Sequence, residues 1–418
     1  VLLGRPARDI ARHCIERWNH AKQKRPQYSR YPTAMLQRKV AVCNDKMLEW
    51  PSKAEDGSWP PSEGGFQECI VQVVRSVGRW SAGTRTESST HAAYCNLLQD
   101  AERFVYIENQ FFVAGMDGDE SVGNRVAEAL YRRMIRAHMN KETFHVMIVL
   151  PLLPAIEGAL VENAAGPVIQ VMHWQYRTFR GLRRRLCDAG ANPDDFLSVY
   201  GLRTHAVFDN GSCVTEQIYV HSKAMIVDDR ISVIGSANIN DRSLLGIRDS
   251  ELNVVLRDTD MTDSSLGGAP WQSGAFASRF REALFAQHVG WSSEEVSGRF
   301  ADPLSNETRG EIRRIARRNT EIYEELFGAL PSDKIRNWAA LTQARRNSSA
   351  IGATPTSSPR GPTPAPVRDW TRDPAPSEWQ ALEGVHGHIV EFPLDFLVEE
   401  DLAASTFSVG GLTPECFT

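Results

Sequence analysis

Along the chain, segments in which hydrophobic and polar residues alternate with a period near two are interspersed with segments that have a period of three to four. Short apolar runs with a period near two predict strands, and longer segments with apolar residues every three or four positions predict helices. The predicted helices cover residues 5–19, 88–100, 122–140, 168–187, 275–288 and 309–328. The predicted strands cover residues 69–76, 103–113, 144–150, 196–201, 218–227, 231–235 and 251–257. This alternation is typical of an α/β fold.

The regular pattern divides the chain into three parts. Residues 1–342 carry nearly all predicted elements and form the main body. Residues 343–377 are rich in Pro, Ser, Thr and Ala and lack an apolar period, which predicts a linker or surface loop. Residues 378–418 contain the apolar stretch GHIVEFPLDFLVEEDL. Its alternation could add a strand, so we expect this part to dock back on the main body.

Composition and charge indicate a folded protein with no general affinity for polyanions. Of its 418 residues, 42% are hydrophobic and 24% charged, and the formal net charge is -5. The seven cysteines are scattered and never spaced as CxxC, which favours reduced thiols over a zinc site or a disulfide scaffold. The apolar run at 146–156 is interrupted by prolines and too short to cross a bilayer.

The first predicted helix is amphipathic with a basic polar side. Ile10, Cys14 and Trp18 recur at fourfold spacing, so we expect the helix to pack through them. Its candidate anion-binding residues are Arg8, Arg12 and Arg17. A solvated helix face explains these arginines equally well.

The most informative stretch spans residues 218–251. On a strand, His221 and Lys223 would project to the same side, while Asp228 would face the other side or tie down the turn before Arg230. A histidine can donate and accept a proton near neutral pH, and a neighbouring lysine supplies the positive charge that a phosphoryl group needs. The pair indicates phosphoryl chemistry without a metal.

Polar residues that follow the histidine and the lysine complete this constellation. Gly235 permits a tight turn, and Ser236 and Asn238 could donate hydrogen bonds to phosphate oxygens. Glu251 could accept a hydrogen bond from an imidazole and fix its tautomer. A lone H-x-K is more often a pair of surface residues on an edge strand, but the complete spacing of H-x-K-x4-D and G-S-x-N is far more specific.

These residues resemble the second HKD motif of phospholipase D. Further stretches resemble the eukaryotic, phosphoinositide-dependent branch of that family: YIENQFF, VLPLLPAIEG, HWQYRT, YGLRTH, NINDRSLLGIRDSE, NTEIY and the terminal GLTPECFT. The resemblance implies a mixed sheet flanked by helices that forms the second catalytic lobe of a two-lobed fold. It also implies that Thr418, the last residue, lies close to the catalytic pocket.

In that family two HKD motifs meet, one histidine attacks phosphorus, and the other protonates the leaving alcohol and then activates water. The resemblance implies the second role for His221, phosphate binding by Lys223, Ser236 and Asn238, orientation of a histidine by Glu251, and a structural role for Asp228. Glu108, Asn109 and Gln110 are costly to bury without hydrogen bonds, so we expect this triplet to line the pocket or anchor a loop there.

The first HKD motif is missing from the sequence. The nearest match, His20 and Lys22, has Gln27 where the aspartate should stand. The sequence starts at Val1, and residues 7–19 resemble the segment that follows the first motif, so we expect the missing half upstream and an isolated chain that is inactive or nearly so. A homodimer that pairs two copies of His221 is the alternative.

The resemblance predicts hydrolysis of phosphatidylcholine-like phospholipids to phosphatidic acid and free headgroup, without a chemical cofactor. It further predicts a phosphoinositide activator, a cytoplasmic protein at the membrane surface, and possible contacts with small GTPases, although no motif for the GTPases is identified. Two alternatives stay open. One is a nuclease of the same superfamily, which the acidic net charge and the flanking motifs disfavour. The other is a non-catalytic, lipid-binding half-protein.

Overall fold

A computed structural model describes residues 5–25, 27, 30–34, 68–155, 167–208, 213–350, 371–372 and 380–403. The helices are α1 Arg5–Lys24, α2 Arg79–Ala82, α3 Ser89–Asp100, α4 Val126–Asn140, α5 Pro167–Asp188, α6 Pro193–Phe196, α7 Asp241–Leu244, α8 Ala275–Val289, α9 Ser293–Arg299, α10 Asn306–Phe327 and α11 Trp338–Ala350. The strands are β1 Cys69–Val77, β2 Glu87–Ser88, β3 Phe104–Glu108, β4 His145–Val149, β5 Leu197–Val207, β6 Cys213–Gln217, β7 Ala224–Val227, β8 Ile231–Gly235, β9 Glu251–Asp258, β10 Met261–Leu266, β11 Ala269–Gly274, β12 Thr371–Arg372 and β13 Ile389–Glu391.

A large mixed sheet organises the described residues. Its strand order is β12-β6-β5-β4-β3-β7-β8-β9-β1-β2, and β13 pairs with β5. Strands β3, β4 and β5 are parallel neighbours, whereas the pairs from β3 through β7, β8, β9 and β1 are antiparallel. Helices flank this sheet, so the predicted α/β class with a mixed sheet is confirmed.

Alternating side chains of the central strands pack into two hydrophobic cores, one on each face of the sheet. Val105 and Ile107 pack with residues of α3, α4 and α5, whereas Phe104 and Tyr106 pack with residues of α8, α9 and α10. Because both faces are covered, β3 is buried along its whole length. A strand held in this way is a rigid support for side chains at its ends.

The C-terminal part of the chain also joins the core where it is described. Strand β13 pairs antiparallel with β5, and Phe392, Phe396 and Leu397 are buried in the core with α5 and α10 residues. The segment 380–403 thus packs on the main body. The predicted loop of residues 343–377 begins too early, because α11 continues to Ala350. Thr418 lies outside the described residues.

Two further predictions from the hydrophobic pattern need correction. The strand predicted over 218–227 is reduced to β7, since residues 218–223 are in neither a strand nor a helix. In α1, Cys14 is exposed and the Trp18 residue is 44% exposed, whereas the buried residue is His13.

Helix α1 rests on the sheet through polar contacts. Glu16 pairs with Arg75 of β1 at 2.5 Å, and a ring nitrogen of His20 lies 2.7 Å from the Trp80 carbonyl oxygen. The fourfold apolar spacing was therefore a poor guide to the packed face of this helix. Within the described residues, no helix combines the length and apolarity needed to cross a membrane.

Candidate active site

Four strand ends converge at one edge of the large sheet. In the antiparallel pairing, the last residue of β3, Glu108, lies opposite the first residue of β7, Ala224. Strand β8 ends at Gly235 beside this point, and β9 begins at Glu251. The segments that contain Glu108, His221, Ser236 and Glu251 each lie at or next to one of these strand ends. The fold therefore brings them to a common edge of the sheet.

His221 and Lys223 lie in the irregular segment that leads into β7. His221 is exposed, whereas Lys223 is buried with a relative exposure of 6%. The prediction that strand alternation places both on one face is therefore wrong, because the strand begins only at Ala224. This placement is still compatible with the predicted phosphoryl chemistry, because the imidazole of His221 is open to solvent while the ammonium group of Lys223 lies in the protein interior.

The buried ammonium group of Lys223 is held by neutral oxygens. Its Nζ donates to Gln110 Oε1 at 3.1 Å and to the carbonyl oxygen of His221 at 2.5 Å. Among the described residues, no carboxylate comes within ion-pair distance of it. Burial lowers the pKa of Lys223 to about 8, while the charge of Glu251 acts in the opposite direction. A phosphate oxygen would supply the counter-charge that this site lacks.

The serine and the glutamate of the predicted constellation contact each other directly. Ser236 donates from Oγ to Glu251 Oε2 at 2.5 Å, and Ser243 of α7 donates to Oε1 at 2.9 Å. Burial raises the pKa of Glu251 even though both hydroxyls favour its ionised form. No hydrogen bond joins Glu251 to His221 in the part of the chain that the structure describes. If Glu251 orients an imidazole, it therefore orients one other than His221.

The loop after β8 presents an unsatisfied amide. Asn238 Oδ1 is buried without a hydrogen-bond partner in the described structure. The loop itself is fixed by the fully buried Asn109, whose Oδ1 accepts from Ile239 N at 3.1 Å and whose Nδ2 donates to Ala237 O at 3.4 Å. The unpaired oxygen can accept a hydrogen bond from a ligand or water, whereas contact with a phosphate oxygen would use the Nδ2 donor of the same amide.

At this edge, position 235 has no room for a side chain, so glycine is required there. A Cβ at Gly235 would lie 2.3 Å from Asn253 Cγ and 2.6 Å from Asn253 Cα on the neighbouring strand β9. The glycine ends β8 and lets the chain pass close to β9. The sequence predicted glycine here because of a tight turn. The structure shows instead that glycine is needed because two strands approach closely.

The predicted triplet after β3 contributes three different contacts. Glu108 accepts from Ser222 Oγ at 2.5 Å, Asn109 holds the loop after β8, and Gln110 bridges Lys223 to Tyr219 Oη, to which it donates at 2.8 Å. Glu108 and Gln110 thus contact the His221 segment, whereas Asn109 anchors the loop after β8.

Asp228 lies at the opposite end of β7, in the turn to β8. Its carboxylate accepts from the backbone N–H groups of Glu102, Arg103 and Phe104 at 2.7–2.8 Å. Burial raises the pKa of Asp228, and these three hydrogen bonds lower it. Asp228 therefore fastens the start of β3 to the β7–β8 turn and is separated by the length of β7 from the edge that carries His221 and Lys223.

Comparisons with known proteins show the family of the chain. The family model described as Phospholipase D matches residues 2–332. The chain belongs to the phospholipase D family. Phospholipase D zeta 1 of Arabidopsis thaliana is 44% identical over 349 residues, which cover 80% of this chain and 31% of the relative. Phospholipase D2 of Bos taurus is 37% identical over 421 residues, covering 99% of this chain and 41% of the relative.

The resemblance predicted from the sequence is confirmed at the level of the family. Phospholipase D zeta 2 of Arabidopsis thaliana is 35% identical over 482 residues, which cover 96% of this chain and 45% of the relative. The chain spans less than half the length of each of these three curated relatives.

Helix α1 does not gather its three arginines into one patch. Arg8 and Arg12 are four residues apart and share a face, whereas Arg17 is rotated by about 140° from Arg12 at 100° per residue. Arg12 is exposed, and Arg8 and Arg17 are partly exposed. Of these three arginines, only Arg8 and Arg12 thus share a face of this phospholipase D helix.

Some residues at the site of this phospholipase D family member were not singled out from the sequence. Ser243 binds Glu251, Ser222 binds Glu108, and Tyr219 binds Gln110. Serines and tyrosines are common, and only the pairing of strands shows which of them meet the predicted residues. Across the described ranges, no group of three or more His, Cys, Asp and Glu side chains could hold a metal ion.

Proposed function

We propose that this chain supplies one half of a phospholipase D active site that hydrolyses the headgroup phosphodiester bond of phosphatidylcholine-like lipids. The observation that carries the proposal is the edge where exposed His221 meets the buried, carboxylate-free ammonium of Lys223 and the polar loop of Ser236 and Asn238. Family membership supports the reaction class, because several relatives are named phospholipase D.

In the proposed reaction, a second histidine attacks phosphorus and forms an N–P bond as the P–O bond to the headgroup breaks. His221 donates its proton to the departing alkoxide, which leaves as the free alcohol. Neutral His221 then takes a proton from water, the resulting hydroxide attacks phosphorus, and the N–P bond breaks to release phosphatidic acid. Burial and the charge of Lys223 lower the pKa of His221, which strengthens the imidazolium as a proton donor.

The remaining residues would stabilise the negative charge on the phosphoryl oxygens. Lys223 would supply a positive charge in a low-dielectric site, and Asn238 would donate from its Nδ2. Ser236 would donate once its single hydroxyl proton turns from Glu251 to the bound phosphate. Glu251, already fixed by two hydroxyls, would orient the attacking histidine of the other half. The chain has no second H-x-K-x4-D, so that histidine would come from an additional lobe or from a second copy of this chain.

The proposal includes the membrane and its regulation. We propose peripheral binding to a phospholipid surface, with a phosphoinositide as activator and no chemical cofactor, so chelation by EDTA should leave the rate unchanged. Small GTPases stay candidate partners on the strength of the resemblance alone. DNA is not a proposed substrate.

The first prediction concerns His221→Asn in an assembly that contains both halves. On phosphatidylcholine vesicles with and without phosphoinositide, we expect choline release to fall by at least about 1,000-fold, since one member of a cooperating catalytic pair is removed. His386→Asn, at an exposed histidine outside the site, is the matched control and should retain full activity.

Unchanged choline release in His221→Asn would refute the acid/base assignment. Cleavage of plasmid DNA without cleavage of lipid would instead identify a nuclease. Vesicle binding without any hydrolysis, in an assembly that carries two H-x-K motifs, would identify a non-catalytic lipid-binding protein.

A further inference from the structure

A buried polar cluster lies directly behind the segment that carries His221 and Lys223. Glu108 Oε1 accepts from Tyr106 Oη at 2.5 Å and lies 3.3 Å from His288 Nε2, while Oε2 accepts from Ser222 Oγ at 2.5 Å. His288 Nε2 also lies 2.6 Å from Tyr106 Oη. The cluster connects helix α8, strand β3 and the segment before β7, and none of the roles proposed above uses His288 or Tyr106.

The hydrogen bonds fix where the protons of the cluster lie. Tyr106 has a single hydroxyl proton, which it donates to Glu108, so its oxygen can only accept from His288. His288 Nε2 must therefore carry a proton and point it at the phenol and the carboxylate. Tyr106 and His288 present donors to the carboxylate from one side, and Ser222 presents its donor from the other.

These donors keep Glu108 ionised in the interior. The residue is 6% exposed, and Tyr106 and His288 are 0% and 2% exposed. Burial opposes ionisation, yet the hydrogen bonds and charge of His288 and the hydroxyls of Ser222 and Tyr106 lower the pKa of Glu108 overall. A hydrogen bond from Ser222 to an ionised carboxylate is shorter and stronger than one to a neutral acceptor.

Single contacts outside a regular element hold the segment that Ser222 belongs to: Ile218 N donates to Leu202 O at 2.8 Å, Tyr219 Oη accepts from Gln110, and Val220 is buried in the core. Residues 218–223 are in no strand or helix, and the backbone carbonyl of Lys223 accepts from Gly235 N at 3.1 Å. Ser222 stands between His221 and Lys223, so a displacement of its hydroxyl moves both neighbours. Misplacement of a reacting group by about 1 Å can cost on the order of 100-fold in rate.

We propose that Glu108 is a positioning residue that acts through Ser222, with Tyr106 and His288 holding its carboxylate in place. The cluster sets the position of the exposed imidazole of His221 and the buried ammonium of Lys223 relative to the bound phosphate. This inference rests on the proposed function, because it assigns the cluster a purpose in the same reaction. Neither Ser222 nor His288 contacts the substrate in this scheme.

The kinetic test is Ser222→Ala in the active assembly. We expect kcat to fall roughly 10- to 100-fold, with KM within about threefold of the parent protein, because the substrate contacts stay while the reacting groups lose their alignment. Ser222→Thr retains a hydroxyl and should recover most of the rate. Ser297→Ala is the matched control, since Ser297 also donates to a glutamate, Glu282 Oε2, at 2.6 Å but on helix α9.

A second experiment does not depend on catalysis. Hydrogen–deuterium exchange of the complete chain should show faster exchange in residues 218–223 for Ser222→Ala and for Glu108→Gln, and unchanged exchange in the hairpin of β10 and β11. The double variant should lose no more protection and no more rate than the worse single variant, because both changes break the same hydrogen bond.

The outcomes separate this inference from the proposed function. A parent protein that cleaves no phospholipid refutes the function, and faster exchange in 218–223 would then still support the anchor. Unchanged exchange together with kcat within about twofold of the parent overturns the inference. Loss of rate in proportion to a lower thermal midpoint, or an equal loss in Ser297→Ala, overturns it as well by reducing Ser222 to a stability role.

Discussion

Lys223 illustrates how a single side chain can be prepared for an anion before the anion binds. Its ammonium group is surrounded by neutral acceptors and lies outside ion-pair distance of Glu251. Burial lowers its pKa to about 8, so it is still mostly protonated at neutral pH. The site retains its positive charge under ordinary conditions, and no carboxylate of the described residues forms an ion pair with it.

This pKa predicts the alkaline side of the pH profile. His221, whose pKa is lowered, loses first the proton that it donates, and the loss of the Lys223 proton near pH 8 should add a second decline of kcat/KM above about pH 8. Glu251 raises the pKa of Lys223, so Glu251→Gln should move this decline to lower pH, whatever the size of the remaining rate. Initial rates from pH 5.5 to 10 would measure both curves, and an unmoved decline would contradict the assigned coupling.

At the scale of elements, the β7–β8 turn fixes the strand ends that form the site. Asp228 and Asp229 both have positive φ, 56° and 51°, as the two central residues of a primed β-turn do, and Arg230 N donates to Val227 O across this turn at 3.0 Å. Asp228 binds the start of β3, whereas Asp229 forms a buried ion pair with Arg281 of α8, with an N–O distance of 2.9 Å. The turn therefore joins β3, β7, β8 and α8 at the end opposite the edge that carries His221 and Lys223.

Breaking this ion pair should destabilise the fold strongly. Asp229→Ala leaves Arg281, which is 1% exposed, without its carboxylate, so we expect the free energy of unfolding to fall by about 3–5 kcal/mol. Glu321→Ala, which removes an exposed pair with Arg317, is the matched control and should cost less than about 1 kcal/mol. Denaturant titration followed by circular dichroism would compare the two, and equal losses would contradict this account.

At the scale of the whole molecule, the position of α1 connects the site to a surface that lipid could approach. The helix rests on β1 through Glu16 and Arg75, and the next residue of β1, Ser76, pairs with Glu251 in the sheet. Arg8 and Arg12 share a face of this helix, and Arg12 is exposed. In the proposed function, a phosphoinositide would bind this face.

Arg12→Ala should therefore weaken vesicle binding. Each arginine near an anionic lipid surface contributes about 1 kcal/mol, so the partition constant for phosphoinositide-containing vesicles should fall roughly fivefold at low salt. Arg317→Ala, at another exposed helical arginine, should leave it unchanged. Vesicle co-sedimentation at several salt concentrations would test this, and equal effects of both variants would argue against a specific basic face.

The sequence by itself determined the fold class, most of the elements and the polar residues of the site. Apolar periodicity located β1, β3, β4, β8 and β9, because strands buried in a sheet need apolar side chains whatever their neighbours are. The spacing of His221, Lys223, Ser236, Asn238 and Glu251 identified the constellation, since that chemistry depends on residue types that are rare in combination. The roles of these five residues stay predictions until they are tested by substitution.

Only the tertiary structure decided which groups meet. The pairing of β3, β7, β8 and β9 brings segments more than a hundred residues apart to one edge, and no local pattern specifies that pairing. It also decided that Ser222, rather than His221, binds Glu108, and that α1 packs through His13 instead of its apolar spacing. Local sequence fixes the period of an element, whereas the partner of each polar side chain depends on which elements the fold places beside it.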